Sequence, residues 1–274
     1  MDVCVITGGS GGIGIETAKL VGKNKKIIIV GRSVEKLEKA ISELKKEGLD
    51  AEYFQADVSN RESIKRLVEF SKQKGNIKIV IHSAGISPNM SNSENIFTIN
   101  ACGTIIVNEE FLPEMGRGGV ILNVSSMAAY LLDLDKKVLN NVFKLSLESI
   151  DAFSKGFEEI IKNFPKDRFN GYVYTLSKKF VIWYTEQMAL KYGKNGIRVV
   201  SISPGTVATN MSKTEGQNSE SMGKMGALGR VGEPIEIAKV MSFLVSDDCS
   251  YITGVDILCD GGSVAAFHAL NNNQ

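Results

Sequence analysis

The chain has few of the residues that build metal sites or disulfide frameworks. Among its 274 residues there are only two histidines and four cysteines. The cysteines are Cys4, Cys102, Cys249 and Cys259, and none of them forms a C-x-x-C pair. Because structural zinc needs clustered thiolate or imidazole ligands, we expect no metal. Scattered thiols are typical of a reducing compartment, so we expect a cytoplasmic protein.

The chain also lacks an excess of one charge and a long apolar run near its start. Lys and Arg number 32 against 31 Asp and Glu, which gives a formal net charge of +1. This balance provides no basic surface for nucleic acid or an anionic membrane. The apolar run at residues 3–7 is too short for a signal peptide or a membrane span. We therefore expect neither nucleic acid nor a membrane as a partner.

Short apolar runs alternate with amphipathic segments through most of the chain. Strands are predicted at residues 3–7, 26–30, 51–56, 77–82, 120–124, 198–202 and 255–258. Helices are predicted at 13–21, 34–47 and 61–74. This alternation predicts an α/β fold, a doubly wound parallel sheet of the Rossmann type. No linker rich in Pro, Gly or Ser divides the chain, so residues 1–274 form one predicted domain.

Residues 127–166 break the alternation. Their apolar residues, from Leu134 to Ile160, recur at spacings of three to five, which predicts one or two amphipathic helices. This helical insertion falls between the strand that ends near Ser126 and the helix that carries Tyr174. It could simply cover the core, or it could form a wall of a pocket or an oligomer contact. We predict that it borders the mouth of the active site and restricts which substrates fit.

A glycine-rich loop joins the first strand to the first helix. Glycines permit a tight turn and let backbone amides approach an anion, and the helix start adds unpaired N–H groups. We predict that a pyrophosphate binds there. The loop reads Thr7-Gly8-Gly9-Ser10-Gly11-Gly12-Ile13-Gly14.

A second group of polar residues combines a phenol, an amine and hydroxyls. Tyr174 and Lys178 are four residues apart and share one helix face. A free phenol titrates near pH ~10, and a neighbouring ammonium lowers that value toward neutrality. Tyr172 has no lysine at the same spacing and is the weaker candidate. Ser125 and Ser126 close the fifth strand and face opposite ways, so either hydroxyl could donate to a substrate oxygen.

The loop spacing T-G-x-x-x-G-I-G, with the Tyr-x-x-x-Lys pair, resembles the short-chain dehydrogenase/reductase family. The resemblance extends from Thr7 to Asp260-Gly261-Gly262. It implies that Tyr174 and Lys178 are catalytic beside a nicotinamide, that Ser126 rather than Ser125 meets the substrate, and that Asn100 links the lysine to solvent through a water. A helix-packing role is the alternative for Asn100.

The second strand bears on the choice of cofactor. It ends at Val30-Gly31-Arg32-Ser33, and no carboxylate follows before Glu35 to accept from a ribose 2′-OH. The guanidinium of Arg32 could pair with a 2′-phosphate, and Ser33 could add a hydroxyl. Arg32 could also be an ordinary surface arginine. We favour NADP(H) over NAD(H).

The resemblance implies further cofactor contacts. In the family the residue at Asp57, followed by Val58, accepts from the adenine amino group, although Asp57 could equally form a turn or cap the helix at Arg61. Ala84-Gly85 permits close approach to the cofactor, but His82-Ser83 stands where the family usually has Asn-Asn. After the sixth strand come Pro204-Gly205, the Val207 backbone and the Thr209 hydroxyl, of which the last two meet the carboxamide in the family. Residues 206–228 would serve as a substrate lid.

These features together predict an NADP(H)-dependent oxidoreductase that interconverts a ketone and a secondary alcohol. The long segment from Ser126 to Tyr174 resembles the 3α-hydroxysteroid dehydrogenase/carbonyl reductase subgroup, which implies a hydroxysteroid or another bulky hydrophobic carbonyl. We expect a homo-oligomer, a dimer or a tetramer. The alternatives are a non-catalytic NADP(H)-sensing regulator and an epimerase or dehydratase relative. A sensor need not keep Asn100, Ser126, Tyr174 and Lys178, and Pro204-Gly205 favours the reductase type.

Overall fold

A seven-stranded parallel sheet forms the centre of the computed structural model, which describes residues 1–209, 211, 221 and 223–271. The strands are β1 (Asp2–Thr7), β2 (Lys26–Gly31), β3 (Ala51–Gln55), β4 (Asn76–His82), β5 (Val120–Val124), β6 (Arg198–Pro204) and β7 (Asp256–Cys259). Their order is β3-β2-β1-β4-β5-β6-β7. Each predicted strand is present with ends displaced by at most two residues, so the predicted fold class is confirmed.

Helices connect these strands. They are α1 (Gly12–Val21), α2 (Val34–Lys46), α3 (Arg61–Lys72), α4 (Ser93–Phe97), α5 (Gly103–Phe111), α6 (Lys136–Lys144), α7 (Ile150–Ile161), α8 (Phe169–Lys194), α9 (Pro234–Leu244) and α10 (Ser263–Asn271). Local chemistry fixes several starts: Ser33 caps α2, and Asn60 caps α3 by accepting from the Ser63 amide at 2.9 Å. Within the described ranges no helix combines the length and apolarity needed to cross a bilayer.

Both faces of the sheet are buried. Val3 and Val5 of β1 point to the layer formed by α3, α5 and α8, and Cys4 and Ile6 point to the layer formed by α1, α2 and α9. Burial on both faces explains why the strands read as continuous apolar runs rather than as alternating ones. Since all strands run the same way, their carboxyl ends meet at one edge, where the connecting loops can gather a site.

The predicted insertion folds as a 3₁₀ turn (Met127–Tyr130) followed by α6 and α7. The two helices place Phe143 and Phe153 against Phe180 and Trp183 of α8. The Phe153 and Phe180 ring centroids are 4.5 Å apart, and those of Phe143 and Trp183 are 5.7 Å apart. The insertion therefore covers the central helix with an aromatic cluster.

We expect Phe153→Ala to lower the free energy of unfolding by about 3–5 kcal/mol, because it empties a fully buried position in this cluster. Val138→Ala is the matched control, since Val138 is half-exposed on α6 and such changes cost within about 0.5 kcal/mol. Urea unfolding of both variants measures the difference. Equal losses would show that α6 and α7 do not pack on α8.

Candidate active site

A cleft of about 1000 Å³ lies at the carboxyl edge of the sheet. It collects most of the residues that the sequence singled out. Those lining it are Gly8, Ser10, Gly12, Ile13, Gly14, Arg32, Ser33, Asp57, Val58, Ala84, Gly85, Ser126, Tyr174, Lys178, Pro204, Gly205, Val207 and Thr209. Thr7 and Asn100 are buried and are not among the lining residues.

The glycine loop forms a cradle into which side chains would not fit. Gly8 has φ 69°, and a Cβ there would lie 2.9 Å from the Ala84 nitrogen. A Cβ on Gly14 would lie 2.4 Å from the Gly8 oxygen. The backbone can therefore pack closely at the start of α1, where the first N–H groups lack helical partners. This arrangement fits the pyrophosphate of a dinucleotide.

Thr7 acts behind the cradle rather than inside it. Its Oγ1 accepts from the Ala84 amide at 3.2 Å and lies 2.9 Å from His82 Nδ1, while the Ser83 hydroxyl donates to the Thr7 oxygen at 2.6 Å. Burial, with a smaller effect from Lys178, lowers the pKa of His82 to about 3, so its ring is neutral. The pair His82-Ser83 thus fastens the glycine loop to β4. The sequence showed this pair only as a departure from the family pattern.

Helix α8 brings Tyr174 and Lys178 to the cleft together. Lys178 Nζ lies 5.9 Å from the centroid of the Tyr174 ring and donates to the Val124 oxygen at 2.9 Å. Burial lowers the pKa of Lys178 to about 8. Tyr172 is instead stacked on Phe164, with ring centroids 4.2 Å apart. Tyr174 lines the cleft, whereas Tyr172 is not among the lining residues.

The two serines at the end of β5 differ in their surroundings. Ser125 is buried and donates to the Lys178 carbonyl oxygen at 2.8 Å. Ser126 is half-buried, caps the start of the 3₁₀ turn, and accepts from the Ala128 amide at 3.2 Å. A hydroxyl that accepts from an amide still has its proton to donate. The geometry therefore favours Ser126 as the hydroxyl that meets a substrate.

Asn100 lies in a π-helical turn between α4 and α5 (Thr98–Cys102). Its Oδ1 accepts from the Ile86 amide at 2.9 Å, and its Nδ2 donates to the Ile86 oxygen at 3.0 Å. A Cβ on Gly85 would lie 3.1 Å from Asn100 Oδ1 and 3.2 Å from Lys178 Nζ. Asn100 thus holds the loop after β4 close to the lysine. The water-mediated role implied by the resemblance stays a prediction.

Three side chains define the far end of the cleft. Arg32 follows β2, and Lys36 lies in the first turn of α2. Lys36 was not among the site residues predicted from the sequence. Neither Arg32 nor Lys36 forms an ion pair with any described residue. Asp57 accepts from the Ser59 amide and hydroxyl at 2.9 and 2.6 Å, so it forms a turn and leaves the capping of α3 to Asn60.

The opposite end of the cleft is apolar. The insertion contributes Met127, Ala128 and Leu131, together with Pro88 and Met90 from the loop after β4. Of residues 127–166, the described lining thus includes the first turn, and the prediction that the insertion borders the mouth and restricts the substrate stays a prediction. No described lining residue comes from α6 or α7, because their aromatic faces are buried on α8.

The predicted lid can be described only in part, since residues 210, 212–220 and 222 lie outside the described ranges. At its start, Val207 pairs with Gly232, and the Ala208 amide donates to the Gly232 oxygen at 2.8 Å. Met211 lines the cleft. The lid stays a prediction. Among the described residues, no cluster of three potential metal ligands occurs.

The parallel sheet and the glycine cradle at the strand ends define a dinucleotide-binding α/β protein, and the cleft holds a tyrosine–lysine pair. Residues 2–133 match a family model described as short chain dehydrogenase, and residues 165–264 match one described as Enoyl-(Acyl carrier protein) reductase. The unmatched stretch between them contains α6 and α7.

Relatives of full length agree with these matches. Short-chain dehydrogenase/reductase bsc3 of Alternaria brassicicola is 30% identical over 264 residues, 94% of each chain. The 7alpha-hydroxysteroid dehydrogenase of Bacteroides fragilis is 27% identical over 276 residues, 95% of this chain and 93% of that one. A Burkholderia cenocepacia short chain dehydrogenase, solved in complex with NADP, has a TM-score of 0.75 at 21% identity, over 95% of this chain and 96% of that chain.

The chain belongs to the short-chain dehydrogenase/reductase family and is an oxidoreductase whose fold binds a nicotinamide cofactor. The resemblance noted from the sequence is therefore confirmed.

The depressed pKa of Lys178 predicts a stability cost. Its ordinary value is 10.5, so between about pH 8 and 10.5 the unfolded chain binds a proton that the folded chain has released. The lysine therefore weakens the fold most below pH 8, and this penalty shrinks as the pH rises through that window. Without cofactor, Lys178→Met should raise the free energy of unfolding by roughly 1–3 kcal/mol at pH 7.

Urea unfolding of both proteins at pH 7 and pH 10 measures this effect. The gain should be smaller at pH 10, and Lys191→Met, at an exposed position on α8, should show no such gain. A Lys178→Met variant less stable than the parent at pH 7 would contradict the assignment of a costly buried ammonium.

Proposed function

We propose that this oxidoreductase uses NADP(H) to interconvert a ketone and a secondary alcohol on a bulky hydrophobic substrate, such as a hydroxysteroid. The observation that carries the proposal is the position of Ser126, Tyr174 and Lys178. All three line one cleft, between the glycine cradle and an apolar wall. A hydroxyl donor, a phenol and an amine placed there match the needs of a carbonyl whose oxygen gains charge and then a proton.

The chemical roles follow from these groups. The nicotinamide supplies or accepts the hydride when it is bound. The hydroxyl of Ser126 donates to the substrate oxygen and stabilises the charge that develops there. Tyr174 delivers the proton in reduction and removes it in oxidation. Lys178, charged beside the ring, would stabilise a phenolate at Tyr174, and it is also the residue suited to hold the nicotinamide ribose.

The apolar end of the cleft supports a hydrophobic substrate. The charged residues in the described lining of the whole cleft are Arg32, Lys36, Asp57 and Lys178. The first three lie at the far end, away from the apolar wall. A substrate carrying a carboxylate or a phosphate at the Met90–Met127 side would meet no described countercharge. The similarity to a 7alpha-hydroxysteroid dehydrogenase points to the same class of substrate.

The choice of NADP(H) depends on Arg32 and Lys36. Both are exposed, line the cleft and follow the end of β2, four residues apart in the chain. Two cations without a described carboxylate partner suit a 2′-phosphate better than a ribose hydroxyl. The Burkholderia cenocepacia structure was determined with NADP, which agrees with this choice.

A non-catalytic NADP(H) sensor on the same fold is the second candidate. It needs the cradle but not a serine, a tyrosine and a lysine at the reactive end. A screen of ketones, secondary alcohols, steroids and bile acids, with an enoyl thioester for comparison, separates an enzyme from a sensor by nicotinamide absorbance.

We also propose a cytoplasmic location, from the four free cysteines, and a homo-oligomeric state.

We expect Tyr174→Phe to lower turnover by at least about 10²–10⁴-fold while cofactor binding stays intact, because the ring remains and its proton is lost. Tyr172→Phe is the matched control on the same helix, and it should turn over normally. Steady-state rates and cofactor titration are the measurements. If Tyr172→Phe proved inactive and Tyr174→Phe active, the assignment of the acid–base residue would be wrong.

We expect higher kcat/KM with NADP(H) than with NAD(H), and we expect Arg32→Ala and Lys36→Ala each to reduce that preference. Removal of one charge-assisted bond to phosphate should cost roughly tenfold in the ratio. Lys39→Ala, at an exposed site on α2 outside the cleft lining, is the control. Equal or better efficiency with NAD(H) in the parent enzyme would exclude NADP(H) as the preferred cofactor.

A further inference from the structure

Two consecutive lysines of α8 hold the chain on either side of Ser126. Lys178 donates to the Val124 oxygen, which precedes the serine. Lys179 Nζ donates to the Ala129 oxygen at 2.9 Å and to the Leu132 oxygen at 3.2 Å, both of which follow it. The proposed reaction uses Lys178 and gives Lys179 no role, and Lys179 does not line the cleft.

The segment that Lys179 holds is a single 3₁₀ turn. So short a helix is marginal by itself, because little hydrogen bonding offsets the cost of ordering it. Ser126 satisfies its first amides, since its Oγ accepts from Ala128 and its backbone oxygen accepts from Ala129. At the other end the ammonium of Lys179 meets the last carbonyls, the position at which a cation is favourable.

The burial of Lys179 argues that these bonds matter. Burial lowers the pKa of Lys179, so the folded chain keeps the ammonium in place at a solvation cost. A lysine without a local role extends its charge into water, as its long stem allows. Here the ammonium instead donates to two backbone oxygens.

A second tether holds the same turn from the sheet. The Tyr130 hydroxyl donates to Asp256 Oδ2 at 2.7 Å, and Asp256 Oδ1 accepts from the Ser201 hydroxyl at 2.6 Å. Asp256 lies on β7 and Ser201 on β6. The turn is therefore fixed at its end by α8 and through Tyr130 by the edge of the sheet.

We propose that Lys179 is a positioning residue that fixes the turn beginning at Ser126 and so orients the hydroxyl of Ser126, together with Met127 and Leu131, toward the substrate carbonyl. This inference rests on the proposed function, because it assigns Lys179 an effect that passes through Ser126. It makes no claim on the cofactor, since Lys179 touches none of the cradle.

The first experiment needs no turnover. Hydrogen exchange of the amides of Ala128, Ala129 and Leu131 reports whether the turn is held, since all three donate within it. Lys179→Met keeps the stem and removes the donors, and it should speed exchange of these amides by about tenfold or more. Tyr130→Phe should act in the same direction without altering α8. The control Lys191→Met should leave exchange unchanged.

The second experiment is a double-mutant cycle with Ser126→Ala on the ketone that gives the best rate. In the parent background, Lys179→Met should reduce kcat/KM by about 10- to 100-fold, the cost of a misplaced donor. In the Ser126→Ala background the same change should cost less than about twofold. Cofactor dissociation constants should agree within twofold in all four proteins, and Lys179→Arg should recover most of the activity.

The outcomes separate the inference from the proposed function. Unchanged exchange in Lys179→Met, or equal losses in both backgrounds of the cycle, would overturn the positioning role whatever the enzyme reduces. Faster exchange with non-additive losses supports it. If the parent protein turned over no ketone or alcohol, the proposed function would fail, and the catalytic part of this inference would fail with it. Hydrogen exchange of the turn amides would then show whether Lys179 holds the turn, without bearing on catalysis.

Discussion

The site depends on the burial of one ammonium group. Lys178 lies beneath the carboxyl edge of the sheet, where desolvation disfavours its charge. A backbone oxygen of β5 accepts a hydrogen bond from it, and Gly85 lies so close that a Cβ there would be 3.2 Å from Lys178 Nζ. His82 is kept neutral by its own burial, with a smaller effect from Lys178. The surrounding strands and loops thus hold an ammonium group whose burial is unfavourable by itself.

That arrangement requires a firm support, and α8 provides it. The helix carries Tyr174 and Lys178 at the cleft, and it carries Phe180 and Trp183 within the aromatic cluster. The insertion buries these rings with α6 and α7 and leaves only its first turn at the cleft. The same helix therefore contributes both to the packing of the aromatic cluster and to the position of the proposed acid–base pair. Close packing restricts small movements of this helix, and a site that needs fixed geometry benefits from that rigidity.

Much of this could be predicted from the residues because it is local. The alternation of apolar runs and amphipathic segments predicted the parallel sheet, and the glycine spacing predicted the cradle. The pairing of Tyr174 with Lys178 requires only the repeat of a helix. The sequence could not show that Thr7 lies behind the cradle, that Lys36 joins Arg32, or that α6 and α7 turn away from the cleft. Each of these depends on contacts between segments far apart in the chain.

The sequence by itself determined the class of fold and predicted the edge at which ligands meet and the pairing of Tyr174 with Lys178, since period and spacing act within a few residues. Only the tertiary structure distinguished the surroundings of Ser125 and Ser126, because the first donates to the Lys178 carbonyl oxygen and the second caps the 3₁₀ turn. It alone placed Lys179 beside that turn, since the two lie some fifty residues apart and meet only when α8 packs over β5. Hydrogen bonds between distant segments depend on that packing, and no local pattern encodes them.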